Sequence, residues 1–523
     1  MRERLTLHGL WIATALTILV PSFADPDLWG HLIFGSSLLA GTLHLENTFA
    51  YTTPTQPWVN HEILAEGAMA LAYRLAGSAG LVALKVTLGI ATAAVLWRTA
   101  RRRSGDALAA TLAVVFALYV MRPGFMIRPQ LFTMLFLAVA LEVVGASGRR
   151  AVGGAWMLPL LVALWVNVHG GVLAGVGLAA IALTAARTTE LWHGTLGVRD
   201  AGGSTLLLAL TAAALAVNPY GLRLVAFLLR DVTPAVPITE WAPVGLLDAS
   251  FPLFKLMLLI ATVGTVMLRP ALAETAVVAA TAVVALRHQR HVPLFAIAAA
   301  PLVAATLVEL GRRWVAAAGA RISVVARAAL AAAATMQAVF AILLAGAWRG
   351  EITVLPSHYP VQAVRFLVQN DIVGNVALPF SWGEYALWAL PTGSRVAVDG
   401  RFTTAYPQDL LAAAWRFMTG EPGWDDLLNQ YPTDVVIADR AHGSAEHLRG
   451  HPDWQYVYSD KVSFVFLRIG ERHADALARF HAGRLVYDAK PFATTFPAAD
   501  RSWAPPPRDA RMAASAVVPP GRF

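Results

Sequence analysis

The chain reads as a polytopic α-helical membrane protein of about eleven transmembrane helices, followed by a small C-terminal α/β extracytoplasmic domain. Three observations predict this. Of 523 residues, 57% are hydrophobic and only 14% charged, against about 25% charged in an ordinary soluble domain. The apolar residues gather in separate runs near the length that crosses a bilayer core, about 20 residues each. Most basic clusters fall in alternate loops between those runs, as the positive-inside rule requires. The mean hydropathy of +0.56 excludes a disordered chain, a coiled coil and an ordinary cytosolic enzyme. With no cysteine, disulfides, thiolate catalysis and cysteine–zinc sites are excluded too. The net charge of +8 belongs to loop placement, and no nucleic-acid partner is expected.

The first run, 7–24, follows Arg2 and Arg4 and has the outline of a signal peptide. Asp25-Pro26-Asp27 follows it in place of a small-residue cleavage site, so it is expected to stay as a helix. Further runs lie at about 79–97, 106–121, 129–146, 152–168, 170–187, 203–217, 251–268, 271–287, 291–309 and 324–347. With the N-terminus cytoplasmic, the inner loops hold Arg98, Arg101, Arg102 and Arg103, then Arg149 and Arg150, Arg187 and Arg199, Arg269, and Arg312, Arg313 and Arg321. The amphipathic stretches 61–77 and 222–230 must then lie along the membrane surface. Residues 1–350 form the membrane module, with 25–78 as its first outer loop, and the odd span count places everything after residue 350 outside.

Beyond Gly350 the pattern changes. Helical spacing over 358–370, short strands near 375–380, 395–399, 434–438 and 463–467, and helical stretches at 407–418 and 424–430 predict an α/β domain over 351–470. An amphipathic helix over 471–488 and a tail rich in Pro, Ala and Arg fill 471–523.

The unusual polar groups collect on the outer side of this topology, where ionisable residues at membrane depth mark cavities or pathways. They begin with Asp25-Pro26-Asp27-Leu28-Trp29-Gly30-His31. Asp25 and Asp27 are the candidate catalytic bases, although an Asp-Pro turn with solvated charges also accounts for them. On a short helix over 27–39, Asp27 and His31 share a face. In Trp58-Val59-Asn60-His61-Glu62, His61 and Glu62 open an amphipathic helix, and a capping Asn60 explains part of that motif without a ligand. Asp25, Asp27, His31, His61 and Glu62 are the candidate metal ligands, hard oxygens favouring Mg²⁺ or Mn²⁺; their spacing matches no named metal motif.

Arg122, Arg128, Arg287, Arg290 and His291 suit an anion, since a guanidinium fork matches phosphate oxygens; contact with lipid headgroups is the alternative. Asn167 and His169 beside Gly170-Gly171, Asn218 and Tyr220 in Asn-Pro-Tyr-Gly, and Glu240 with Trp241 complete the candidate pocket with His31, His61 and Glu62. Each also fits a turn or a satisfied helix end. Trp382, Glu384, Tyr385, Asp399 and Arg401 suit sugar stacking and hydroxyl binding, or an ordinary domain core around an Asp-Gly turn. No P-loop, dinucleotide fingerprint or nucleophile elbow is present.

At Asp25-Pro26-Asp27 the layout resembles the GT-C superfamily of integral-membrane glycosyltransferases, which includes protein O-mannosyltransferases, aminoarabinose lipid A transferases and oligosaccharyltransferases. The shared pattern is one helix, a long outer loop with an acidic motif and surface helices, many further spans and an outside C-terminal domain. Over about 20–468 the chain also resembles a family of uncharacterised bacterial membrane proteins. The shared motifs are Asp-Pro-Asp-Leu-Trp, Trp-Val-Asn-His-Glu, Arg-Pro-Gln, Asn-x-His-Gly-Gly, Asn-Pro-Tyr-Gly, Trp382-Gly383-Glu384-Tyr385 and Asp399-Gly400-Arg401. The Trp-Trp-Asp signature of oligosaccharyltransferases is missing. The resemblance implies a GT-C-like fold in a bacterial inner membrane of the cell envelope. It also implies sugar transfer, with inversion, from a polyprenyl-phosphate donor to a glycan, lipid or protein acceptor. Asp25 or Asp27 would be the base, Asp27 favoured by His31, and an Arg or His would steady the departing phosphate, with or without Mg²⁺ or Mn²⁺. A transporter or flippase of a lipid-linked sugar or anion, or an envelope-assembly scaffold, is the alternative.

Overall fold

The computed structural model describes residues 2–146, 154–230, 239–318, 320–355, 357–487 and 493–499. It is mostly helical. The chain divides into two units. The first comprises Met1–Asp25, Val59–Ala65 and Ala72–Thr353; the second comprises Pro26–Trp58, Glu66–Leu71 and Val354–Phe523.

The first unit is a helical bundle. Its centre is the packing of Ala107–Met121 against Val292–Ala318. Neither carries a charged residue over 107–121 or 292–308, and alanines at 110, 113, 117, 296, 299, 300 and 304 are fully buried. Small side chains let helix backbones approach closely, which drives packing where surrounding lipid removes the hydrophobic advantage. Asp106 begins the first of these helices, its side chain accepting from Ala109 N at 2.8 Å, and Gly105 at φ +72° ends the helix before it. That preceding helix, Ile63–Ser104, breaks at Ala76 and Gly77. Gly77 adopts φ +56°, ψ −142°, a conformation other residues avoid. The break falls between the stretch expected along the surface and the stretch expected to cross.

Four helices among the described residues are long and apolar enough to cross a membrane: Ile63–Ser104, Ala107–Gly124, Val172–Trp192 and Gln289–Arg313. Shorter apolar helices occupy Thr6–Leu19, Leu28–Leu39, Gln130–Gly145, Ala155–Trp165, Pro252–Leu268 and Thr335–Leu344. The chain is thus compatible with a membrane protein. Arg149 and Arg150 lie outside the described residues, as does the start of the expected span 152–168.

The second unit is built on a five-stranded sheet. Its strands are β1 (Asn375–Ala377), β2 (Arg395–Val396), β3 (Val435–Asp439), β4 (Trp454–Ser459) and β5 (Ser463–Arg468), in the order β2-β1-β3-β5-β4. β1 runs parallel to β2 and β3, and β5 runs antiparallel to β3 and β4. β4 is a strand that the hydropathy pattern does not reveal, because its register shifts between Tyr456 and Tyr458 and breaks the alternation. At the other edge, Ala50 bridges Val396 in parallel. Tyr51 N donates to Val396 O at 3.1 Å, and Thr52 Oγ1 donates to Ala397 O at 2.6 Å. The segment 50–52 therefore extends the sheet beyond β2. Helix Leu28–Leu39 carries Trp29, fully buried against Tyr359, Tyr385 and Phe496, with its Nε1–H donating to Pro497 O at 2.9 Å. The helix expected over 471–488 is shorter, Ala474–His481, and Gly483 at φ +65° turns the chain away from it. Most of the expected Pro/Ala-rich tail lies outside the described residues.

Candidate functional site

In the second unit the parallel strands set the stage. The chain leaves β1 for β2 on one side, then returns to β3 on the other. Side chains beyond the carboxyl ends of such strands face a natural crevice. Helix Phe380–Ala389 follows β1 and carries Glu384, and Asp399-Gly400-Arg401 follows β2.

Asp399 is fully buried. It accepts from Arg401 Nε at 2.8 Å and Nη2 at 2.7 Å, and from Tyr406 OH at 2.7 Å. Arg401 Nη2 also donates to Asn47 Oδ1 at 2.8 Å. Its guanidinium lies 4.6 Å from the Trp58 ring and 4.9 Å from Phe34. Burial opposes the charge on Arg401, but Asp399 more than compensates and raises its pKa above the usual arginine value. The pair is a desolvated fork with cation–π faces, the geometry that suits arginine and not lysine.

Glu384 is buried as well. Its Oε2 accepts from Gly30 N at 3.2 Å, and a Cβ at residue 30 would lie 2.1 Å from that oxygen. Only glycine lets the carboxylate come so close. A Cβ at Gly400 would lie 2.5 Å from Asp27 Oδ1 and 3.1 Å from Glu384 Oε1. The two carboxylates thus converge on one bare stretch of backbone. Burial pushes Glu384 well above the ordinary carboxylate range; Asp27, Asp399 and Glu66 push the same way, and Arg401 opposes them. Asp27 begins helix Leu28–Leu39 without capping it by its side chain, although the helix N-terminus still favours its negative charge. His31 Nδ1 lies 3.3 Å from Glu66 Oε1, both side chains buried.

In the first unit the polar residues are tied more tightly. Arg128 donates from Nε to Asp25 Oδ1 at 2.6 Å and from Nη1 to Glu240 Oε1 at 2.9 Å. Arg290 stacks over Trp241 at 4.7 Å, and His288 Nδ1–H donates to Trp241 O at 2.7 Å. Backbone bonds from Gln289 N to Ala242 O and from Val244 N to Leu286 O pin the two loops together. Here Arg128, Arg290, Glu240 and Trp241 come together. His291 Nδ1 reaches Val284 O at 3.4 Å, whereas Arg122 and Arg287 are exposed.

A second group surrounds Glu62. His61 Nε2 lies 3.6 Å and His169 Nε2 3.7 Å from Glu62 Oε1. Asn60 Oδ1 accepts from Glu62 N at 2.8 Å and fixes the start of the helix. Asn167 Nδ2 donates to Val217 O at 2.7 Å and so anchors the next turn. In that turn Asn218 bonds Leu215 O, Gly221 O and Tyr220 N. Asn218 and Asn167 shape backbone turns, and Tyr220 sits in one of them.

Within the first unit Asp25 meets Arg128, while His61 and Glu62 meet His169. Within the second, Asp27 meets Glu384 and His31 meets Glu66. Asp27 with Glu384, and His31 with Glu66, could each offer oxygen or imidazole ligands to a hard divalent cation. Sequence reasoning left Glu384, Asp399 and Arg401 undecided between a sugar site and ordinary core, and it missed Glu66 and Thr133. Glu66 carried a signal, being an acid one helical turn after Glu62 in an otherwise apolar stretch; Thr133 carried none. Comparison with protein-family models and with curated proteins gives no match.

Proposed function

We propose that the chain is a membrane glycosyltransferase that moves a sugar from a polyprenyl-phosphate donor to an extracytoplasmic acceptor, with Asp27 as the base. The observation that carries this reading is the convergence of Asp27 and Glu384 on Gly400, beyond the carboxyl ends of β1 and β2. Acceptor deprotonation needs a carboxylate within reach of the hydroxyl. Asp25 is the weaker candidate because Arg128 already neutralises it at 2.6 Å. In this reading Asp27 takes the acceptor's hydroxyl proton, and the freed oxygen attacks the anomeric carbon with inversion. The carbon–oxygen bond to the lipid phosphate breaks, and its electron pair leaves with that phosphate.

The topology belongs to the same proposal: about eleven spans in a bacterial inner membrane, the N-terminus cytoplasmic and residues after 350 outside. Apolar helices shorter than the bilayer core fit it where the bilayer thins or flanking residues snorkel to the interface. In liposomes holding labelled polyprenyl-phosphate sugars, the expected result is sugar release or transfer, reduced about a hundredfold or more in Asp27→Asn and less in Asp25→Asn. Transbilayer movement of intact donor, indifferent to Asp27, would instead identify a flippase. Turnover unchanged in Asp27→Asn would remove Asp27 as the base.

A further inference from the structure

Between Val244 and Pro252 the first unit carries a loop whose two ends are fixed and whose apex is apolar. Val244 is buried, and its N–H donates to Leu286 O at 2.9 Å. At the other end Phe251 packs against the same apolar core. Between these anchors Leu247 is wholly exposed and Leu246 is 59% exposed. The polar groups beside them close the bend. Asp248 Oδ1 accepts from Ser250 N at 2.8 Å and from Lys255 Nζ at 2.9 Å, and Lys255 Nζ also donates to Asp248 O. A Cβ at residue 245 would lie 2.3 Å from Asp248 Oδ2, so glycine is what lets that carboxylate fold back. Gly, Asp and Ser are the ordinary residues of a bend; the two leucines at its apex are not.

The chain runs directly from this loop into the apolar helix Pro252–Leu268, which has 17 residues and so a length of about 25 Å. A bilayer core is about 30 Å thick. Arg269 and Pro270 follow at the far end, a charge and a helix stop that leave the shortfall to the 246–251 side. Leu253, Leu256 and Leu259 are exposed along the helix, and the leucines of the loop prolong that apolar strip beyond its first turn. Two leucines held out in water forgo the gain of burial, which acyl chains restore. Non-helical backbone is excluded from the lipid midplane, so the apex belongs at the boundary between headgroups and acyl chains.

We propose that Leu246 and Leu247 insert into this boundary, so that membrane lipid covers the apex and completes the crossing that Pro252–Leu268 begins. This rests on the reading of that helix as a membrane span and not on sugar transfer. The chain has no cysteine, so Leu247→Cys, Leu259→Cys and Glu446→Cys each place a single nitroxide label on the full chain in phosphatidylcholine liposomes. Leu247 is wholly exposed, so its replacement removes no packing, and Glu446 is an exposed residue of the second unit. Power-saturation EPR compares collisions with oxygen, which concentrates in hydrocarbon, and with a nickel chelate, which stays in water. The expected result is a label at 247 about 5–10 Å below the headgroup boundary, a deeper label at 259 and an aqueous label at 446. A label at 247 that collides with nickel as freely as the one at 446, while 259 stays in hydrocarbon, overturns the insertion and leaves the span standing. Labels at 247 and 259 both in water overturn the span reading as well. Dipolar broadening at 247 that disappears on dilution with unlabelled chain places a second copy over the apex and overturns the assignment to lipid.

Discussion

The two units handle buried charge in opposite ways. In the first, Arg128 sits between Asp25 and Glu240, and the histidines are bonded to backbone, hydroxyl or carboxylate partners. In the second, Asp27, Glu66, Glu384 and Asp399 gather around one arginine whose fork is already committed to Asp399. A structural ion pair balances its charges because an imbalance in low dielectric is expensive. A cluster of carboxylates held this close costs stability, a cost natural proteins accept where function requires it. Under the proposed function, the difference separates scaffolding charge from chemical charge without reference to motif.

The largest effect is expected at Arg401. Arg401→Ala leaves Asp399 buried without its counter-charge and should cost about 3–5 kcal/mol, seen as a lower midpoint of thermal unfolding. Arg401→Lys should recover only part of it, because ammonium lacks the fork. A smaller loss, about 1.5–3 kcal/mol, is expected for Arg128→Ala, since the Arg128 side chain is 19% exposed against 5% for Arg401. If Arg128→Ala proved the more damaging of the two, the contrast between the units would fail.

The smallest effect has the opposite sign. Glu384→Gln removes a buried, repelled carboxylate and should stabilise the protein by about 1 kcal/mol at neutral pH. The pH dependence follows from the raised pKa. Glu384 adds stability while it is protonated in both states, below the ordinary glutamate value of about 4.3. That contribution fades as pH rises from there through the raised folded value. Unfolding midpoints of the wild type should fall over this interval more steeply than those of Glu384→Gln. Parallel profiles would show that Glu384 is an ordinary satisfied core residue.

Much of this was legible in the residues themselves. Apolar runs and capping groups such as Asp106 located helices, and the change of pattern after Gly350 marked the sheet. The motifs flagged Asp27, His31, Glu62 and His169 because charge is rare beside apolar helices. The partners stayed hidden because contact depends on tertiary approach. Glu384 lies 354 residues from the Gly30 N–H that it accepts, and the need for glycine at 30 and 400 appears only when both segments are in place. Thr133 looks like any small residue of an apolar helix until Trp165 and His169 are seen on either side of it. Asp25 and Asp27, equivalent on paper, part company because one meets an arginine and the other a carboxylate.

The bond between Thr52 and Ala397 joins residues 345 positions apart, and that spacing sets an order of manufacture. Residues 50–52 leave the ribosome early and must wait, with their strand edge uncommitted, until β2 has been synthesised. The last third of the chain cannot mature alone: expressed by itself, it would lack Asn47, Trp58 and the outermost strand. Cells making this protein must therefore keep the early segment from pairing elsewhere while the whole helical bundle is being translated.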